Sequence, residues 1–410
     1  MSERIQSSAK QRIEKGNKHR IRILHTVASL AIGGSERHVV TYANAINKSR
    51  FEVYVNYGVR DAKDEALVNK LNRDVQLIKF KHKKIGSMLS IRYLHSTLRY
   101  ILFLYKIIKI HKIDIVHTHV PREGILALIA AKIAGVPTVY NPLGVPIPEY
   151  RRGWLLLKSR MFDKISDKLI TRYIAVCDYI KNDLTARRKI SERRVSVQYI
   201  GIDIEMYKSS QGSVKIRDEF GLSDATPVVG VVARLSPVKG VHKAIKAFPY
   251  VVKEAPGSKL LIIGDGPLRD ELEQMCKTLG VSDSVIFTGF RLDVDQILQI
   301  LNVYLQTSDA PSIGISTLEA MAASKPLVTV TKDDDEREMA GETISEGENG
   351  FVVPNIPERI AEKILLLLKN RTLARKQGQM SRRLVEEKFN IEKNIRGLEK
   401  LYESMIDGRS

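Results

Sequence analysis

Two cations stand five residues apart in Ala233-Arg234-Leu-Ser-Pro-Val-Lys239-Gly240, directly after the apolar run Val228–Ala233. A guanidinium and an ammonium just past a strand end suit a diphosphate; the plainer reading is two solvated loop charges. The stretch Thr307–Pro326, TSDAPSIGISTLEAMAASKP, is small and polar, carries Gly314, and opens a helix at about Ile315. Backbone N–H groups over Ile315, Ser316 and Thr317 are placed to hold phosphate. Glu319 follows four residues after Ile315. A carboxylate there does not help bind phosphate, so it suits a hydroxyl-rich partner such as ribose, or it stabilises the helix N-terminus. Gly264-Asp265-Gly266-Pro267 is a tight turn with Pro at the expected first helical position. Ile32-Gly33-Gly34-Ser35 is a second glycine turn ahead of a helix. Both let a ligand approach the backbone, and both fit an ordinary strand-to-helix turn equally well. Neither is a GxGxxG or a Walker loop.

These residues need a scaffold that ends strands beside helix starts. Short β-branched runs alternate with amphipathic helices along the chain. Strands are expected at Ile21–Val27, Phe51–Tyr57, Val75–Phe80, Asp114–His117, Thr138–Asn141, Tyr173–Val176 and Val195–Ile200. Helices are expected at Ser35–Ile46, Leu89–His111, Glu123–Ala134, Trp154–Ile170 and Tyr179–Ala186. After a polar stretch the alternation restarts, with strands Val228–Ala233, Lys259–Ile263, Val285–Thr288, Val303–Gln306 and Pro326–Val330. Helices Val241–Val252, Leu268–Leu279, Asp293–Ile300 and Ile315–Ala323 lie between and after them, and Pro357–Lys369, Arg371–Phe389 and Ile391–Met405 close the chain. The pattern predicts an α/β fold of two doubly wound Rossmann-like parallel-sheet domains. The expected organisation is a basic tail over 1–20, a first domain over 21–205, a linker over 206–226 and a second domain over 227–389. A C-terminal helix over 390–410 is free to pack back on the first domain. Ligands of such sheets bind at the carboxyl ends of strands near the topological switch point, and the cleft between the domains is the default site.

Length and composition narrow the classes. With 410 residues, 43% apolar and 28% charged, the chain is long enough for two cores and is not disordered. The two cysteines, Cys177 and Cys276, have no metal-type spacing, which excludes a disulfide scaffold or zinc cluster and suits a reducing compartment. No run of about 18 uncharged apolar residues predicts a membrane span, and no signal peptide is read in Met1–Arg20. The formal charge is +19. Split after Glu205, the first half carries 38 basic and 18 acidic side chains, the second 28 and 29. The whole excess therefore sits in one half, which points to an anionic partner there.

Several motifs, taken in order, resemble one family. They are Gly33-Gly34-Ser35-Glu36-Arg37, Asp114-Ile-Val-His117-Thr-His119, Ile174-Ala-Val-Cys177, Gly201-Ile-Asp203, the Arg234–Lys239 segment, Gly264-Asp-Gly-Pro267, and Leu318-Glu319-Ala-Met-Ala. Together, over about Ile21 to Phe389, the chain is similar to the family 4 glycosyltransferases of the GT-B fold. The resemblance implies transfer of a sugar from a UDP- or GDP-sugar with retention of anomeric configuration and no metal or other cofactor. It implies that Arg234 and Lys239 neutralise the departing diphosphate, that Glu319 takes the ribose hydroxyls, and that Ser312–Thr317 present N–H groups to phosphate and sugar. Gly33 and Gly34 would face the diphosphate and His119 the reacting carbon, a role to be weighed against that of a structural histidine at a strand end. The sequence departs from the family at Pro311, where a sugar-contacting glutamate is usual, and at Ile200, Leu143 and Cys177. The nucleotide end of the site thus matches better than the sugar end.

The acceptor, a lipid-linked or saccharide molecule, would meet the basic first domain. Lys81, Lys83 and Lys84 precede a helix bearing Arg92, Arg99, Lys106 and Lys109 among aromatic and aliphatic residues. Such a helix suits an anionic bilayer surface, and the expectation is a cytoplasmic protein peripheral to the membrane; a core helix with a solvated basic edge is the alternative. No nucleic-acid motif accompanies the charge. Another sugar-nucleotide enzyme of the same fold, an epimerase or hydrolase, and a donor-binding scaffold without turnover are the competing functions. A nicotinamide dehydrogenase is disfavoured, because Asn56-Tyr57-Gly58 stands where an acidic residue would end the second strand.

Overall fold

The computed structural model describes residues 20–31, 33–59, 61–81, 91–119, 121–142, 164, 166–208, 212–309 and 313–408. The first sheet is built from β1 (Ile21–Val27), β2 (Phe51–Val59), β3 (Gln76–Lys81), β4 (Ile115–Thr118), β5 (Thr138–Tyr140), β6 (Arg172–Ala175) and β7 (Val195–Val197), in the order β3-β2-β1-β4-β5-β6-β7. The second is built from β8 (Val228–Val232), β9 (Lys259–Ile263), β10 (Val285–Gly289), β11 (Val303–Gln306), β12 (Leu327–Thr331) and β13 (Gly350–Pro354), in the order β10-β9-β8-β11-β12-β13. Neighbouring strands from β3 to β6 in the first sheet and from β10 to β13 in the second pair in parallel. In each sheet the order reverses beside the first strand, between β1 and β4 and between β8 and β11. Those are the two places where loops part and leave room for a ligand.

Helices α1 (Gly34–Ala45), α2 (Ile91–Ile110) and α3 (Pro121–Ala134) belong to the first sheet's crossovers. Tyr100, Leu104 and Ile108 of α2 recur every four residues and pack with Ala127, Ala130 and Ala131 of α3 on Leu24, Tyr54 and Val116. A short helix, α4 (Asp178–Asn182), runs into a wider turn over Asp183–Arg187 where a continuous helix was expected. Beyond it come α5 (Ser213–Glu219), α6 (His242–Glu254), α7 (Arg269–Thr278), α8 (Val294–Ile300) and α9 (Ile315–Ala322). The chain ends in α10 (Asp334–Ala340), α11 (Pro357–Lys369), α12 (Arg371–Lys388) and α13 (Ile391–Asp407). The second core joins Ala244, Ile245, Phe248 and Val251 of α6 with Ile360, Ile364 and Leu367 of α11 over the strand side chains.

Contacts divide the chain into two compact units. One holds the described parts of Met1–Asn141, Met161–Tyr173 and Ile395–Ser410; the other holds those of Pro142–Arg160 and Ile174–Asn394. By contacts, residues from Ile174 to Asn394 group with the second unit, while β6 and β7 belong to the first sheet. Residues after Ile174 bond within the second unit: the Tyr179 N–H donates to Glu342 Oε1 at 2.9 Å and the Ile202 N–H to the Phe389 carbonyl at 2.9 Å. The expected linker over 206–226 contains a helix. Its polar composition hides α5, whose Ile216 is buried and whose Arg217 reaches the Ile300 carbonyl at 3.3 Å. From Ile395 onward α13 belongs to the first unit, where Glu403 pairs with Arg50 at 2.7 Å and Glu399 accepts from the Asn47 N–H at 2.7 Å. The expected Trp154–Ile170 helix lies mostly outside the described residues.

Candidate functional site

In the second unit the loops after β8, β9 and β11 meet at the switch point. The loop after β8 carries Arg234, which is exposed, and Lys239, which is half-buried. Burial holds the Lys239 ammonium below its usual range, and neither residue has a carboxylate partner among the described residues. Two positive charges at a strand end with no carboxylate partner among the described residues are chemically suited to an anion. Lys239 is clamped from behind. Its carbonyl accepts from Thr307 Oγ1 at 2.8 Å, and the Val238 carbonyl accepts from the Asp309 N–H at 2.9 Å. Gly240, at φ +59°, lies so close that a Cβ would stand 2.3 Å from the Thr307 carbonyl oxygen.

The glycines of Gly264–Pro267 serve that same turn. Gly264 has φ +137°, and a Cβ on it would lie 2.0 Å from the Ala233 carbonyl oxygen. One on Gly266 would lie 2.4 Å from the Leu235 carbonyl oxygen. What approaches these glycines is therefore the backbone on either side of Arg234. Of the two explanations open in the sequence, the geometric one accounts for them, and it positions Arg234. Pro267 does not start the helix as expected. It sits in the turn, and α7 begins at Arg269, because the Leu268 N–H is drawn to the Leu235 carbonyl at 3.1 Å.

After β11, Gly314 is the N-cap of α9 in extended conformation, with no side-chain cap. The first backbone bonds run from Thr317 and Leu318 to the Gly314 carbonyl. The N–H groups of Ile315 and Ser316 precede them and point out of the helix start. The side chains of Ser316 and Thr317 fix that start from within: Tyr304 OH donates to Ser316 Oγ at 2.9 Å, and Gln306 Nε2 donates to Thr317 Oγ1 at 3.1 Å. Glu319 lies one turn further on and is buried. Lys243, missed in the sequence, is 2% exposed and pairs with Asp309 in the loop that follows β11. A buried lysine on an otherwise apolar helix face is invisible to a periodicity argument. Pro311 and Ser312 lie outside the described residues.

In the first unit the strands at the switch point carry histidines. His25 of β1 and His117 of β4 are register neighbours. His119 lies two residues on, and strand alternation returns it to the same face. The rings of His117 and His119 stack with centroids 4.1 Å apart and planes at 28°. His25 Nδ1 and His119 Nε2 are 2.9 Å apart, His117 Nδ1 and the Tyr402 OH of α13 2.6 Å, and Asn141 Nδ2 and His38 Nε2 3.1 Å. All four imidazoles are buried, and burial, reinforced by neighbouring rings, keeps them neutral. His25 is lowered to about 3 and His38 to about 4, with His117 and His119 well below the ordinary value. Ring nitrogens of His25, His117 and His119 lie within 4.8 Å of one another. Stacked rings do not aim their in-plane lone pairs at one point, so this arrangement favours hydrogen bonding over metal ligation. The His117-Thr118-His119 alternation was the available signal; the partnership with His25 needed the β1–β4 register. Gly33 is the extended N-cap of α1 and Gly34 its first residue, again with no side-chain cap. A Cβ on Gly33 would meet the end of the Glu36 side chain at 2.3 Å, a flexible neighbour.

Two family models match in chain order: "Glycosyltransferase Family 4" over residues 32–206 and "Glycosyl transferases group 1" over residues 213–384. The chain belongs to the family 4 glycosyltransferases. This glycosyltransferase is 26% identical over 319 residues to the capsular polysaccharide biosynthesis glycosyltransferase CapM of Staphylococcus aureus, covering 76% of this chain and 81% of that one. It is 28% identical over 230 residues to the Escherichia coli UDP-Gal:alpha-D-GlcNAc-diphosphoundecaprenol alpha-1,3-galactosyltransferase, covering 55% of this chain and 59% of that one. Its fold is that of HepE from Anabaena, solved in complex with UDP and glucose, with a TM-score of 0.78 at 22% identity over 94% of this chain and all of that one. The GT-B fold expected from the motifs is the one observed.

The basic helix α2 has two faces. Opposite its core stripe, Leu94, Leu98 and Leu102 stand one turn apart and are 60%, 52% and 59% exposed. Arg99, Lys106 and Lys109 are exposed beside them, as is Lys81 on the edge strand β3. Lys109 also donates to the Ala134 carbonyl at 3.2 Å. Lys83, Lys84 and the Arg92 side chain fall outside the described residues. No helix among the described residues is long and apolar enough to cross a membrane.

Proposed function

We propose that this glycosyltransferase is retaining and metal-independent, and that it moves a sugar from a UDP- or GDP-sugar to a lipid-linked or saccharide acceptor on the anionic cytoplasmic face of a membrane. The observation that carries the reading is the pair Arg234 and Lys239, with no carboxylate partner among the described residues, at the β8–β11 switch point beside the uncapped helix start of α9. As the sugar leaves, negative charge grows on the nucleoside diphosphate. Fixed cations and helix-start N–H groups meet that charge without reorganising, the part a divalent metal plays elsewhere. Glu319 takes the ribose hydroxyls, and in the first unit the N-terminus of α1 at Gly33 and Gly34 offers backbone N–H groups to an anion. His119, neutral and buried, faces the sugar. The names of relatives support the substrates: one is a UDP-galactose enzyme acting on a diphosphoundecaprenol-linked sugar, and the fold neighbour was solved with UDP and glucose. The exposed leucine stripe of α2, flanked by cations, supports the membrane surface.

A panel of UDP- and GDP-sugars with polyprenyl-diphosphate-linked and oligosaccharide acceptors, run in EDTA, tests the reading. Transfer is expected to persist in EDTA and to give a product with the donor's anomeric configuration. Dependence on added magnesium or manganese, or an inverted product, contradicts it.

A further inference from the structure

We propose that His25 and Tyr402 are positioning residues that hold the imidazole of His119 in one tautomer and one ring plane for sugar transfer. The proposal rests on the reading of His119 as the group facing the sugar. Three contacts make the case. His119 Nε2 and His25 Nδ1 are hydrogen-bonded at 2.9 Å, while His119 Nδ1 is buried with no hydrogen-bond partner among the described residues. Two neutral rings joined by one hydrogen bond share a single proton position. Whichever ring donates, the other must accept, so the tautomers of His25 and His119 are coupled. With no acceptor for His119 Nδ1 among the described residues, donation from His119 Nε2–H to His25 Nδ1 is the arrangement that leaves no ring N–H of His119 buried without a partner. The ring plane is set separately, by the stack on His117 at 4.1 Å. His117 is in turn fixed through Nδ1 by the Tyr402 OH at 2.6 Å, and Tyr402 is fully buried. Tyr402 lies 285 residues further along the chain, on α13, so the last helix of the protein reaches the site through two stacked rings. A buried phenol needs a partner, and the tyrosine could be satisfied anywhere in this core. Its bond to this ring gives α13 a role in the geometry of His119 beyond packing.

The test combines imidazole ¹⁵N NMR on the full-length protein with steady-state kinetics, using whichever donor of the UDP- and GDP-sugar panel turns over. His25→Asn keeps a polar atom where Nδ1 stood; His25→Leu removes it. The wild type and His25→Asn are expected to show His119 in one tautomer. His25→Leu is expected to show a mixture, with kcat down about tenfold and donor KM within about twofold. Tyr402→Phe, which keeps the ring and so the fold, is expected to broaden the His117 and His119 signals and lower kcat in the same direction. Wild-type ring signals or a wild-type kcat in both His25→Leu and Tyr402→Phe overturn the proposal. A wild-type rate in His119→Ala is a different failure: it removes the sugar-facing role of His119, while the ring signals still report whether His25 and Tyr402 set its tautomer.

Discussion

Lys239 and Lys243 lie one helical turn apart and do opposite things. Lys239 is half-buried with no carboxylate partner among the described residues, so its charge is available to a ligand. Lys243 is buried and neutralised by Asp309, so its charge serves the fold by tying the α6 start to the loop after β11. Replacing Asp309 with Ala strands a buried ammonium and is expected to cost about 3–5 kcal/mol of stability. The double variant Lys243→Met with Asp309→Leu should recover most of it, as read in urea unfolding. Full stability in Asp309→Ala would mean that the pair is not desolvated. Arg234, Lys239, Gly314 and Glu319 were legible because each follows a recognisable strand or opens a recognisable helix. His25, Tyr402, Lys243 and Asp309 were not, because their meaning depends on partners 66 to 285 residues away.

The glycine turn at Gly264 and the helix α2 show how far a motif can be read at the level of elements. Gly264 sits at a positive φ and touches the Ala233 carbonyl, so it shapes the turn that aims Arg234. From sequence it could equally have touched a ligand. Helix α2 was read as either core or membrane surface. It is core along Tyr100, Leu104 and Ile108, and apolar and exposed along Leu94, Leu98 and Leu102. Leu98→Asp with Leu102→Asp is expected to abolish sedimentation with anionic phosphatidylglycerol vesicles while leaving the melting temperature within about 2 °C, since exposed sites rarely change stability much. Undiminished vesicle binding would make the stripe a solvated edge. Of the elements not expected, α10 among them, β13 and α5 were missed for a shared reason. β13 is five residues long and follows a charged run, and α5 sits in a polar stretch; both owe their stability to neighbours, β12 and α8, and too little of it to their own pattern.

The whole molecule places most of its charge excess and the four buried histidines of the switch point in the first unit, with consequences for its pH range. His25 and His38 are held neutral when folded, at about 3 and about 4, while the unfolded chain protonates them near the ordinary value. Their stability contribution is therefore intact above about pH 6.5 and is lost as pH falls toward the folded values. At pH 5 each costs about 2 kcal/mol, so melting temperature should drop steeply between pH 7 and pH 5. A flat profile in scanning calorimetry would mean that these rings take up protons without unfolding. The doubly wound architecture was visible in the alternation of strands and helices. A C-terminal helix free to pack back on the first domain was also expected; the contacts that return α13 to the first unit, through Glu399, Tyr402 and Glu403, needed the structure.

The measurement that bears most directly on the account is calorimetric titration of UDP and GDP into the wild type and into Lys239→Ala. One nucleotide should bind the wild type, and the variant should bind it at least about tenfold more weakly, because a charge-assisted contact to diphosphate is lost. Equal affinity in the two proteins, or no binding of either nucleotide to the wild type, would contradict the assignment of the β8–β11 switch point as the donor site.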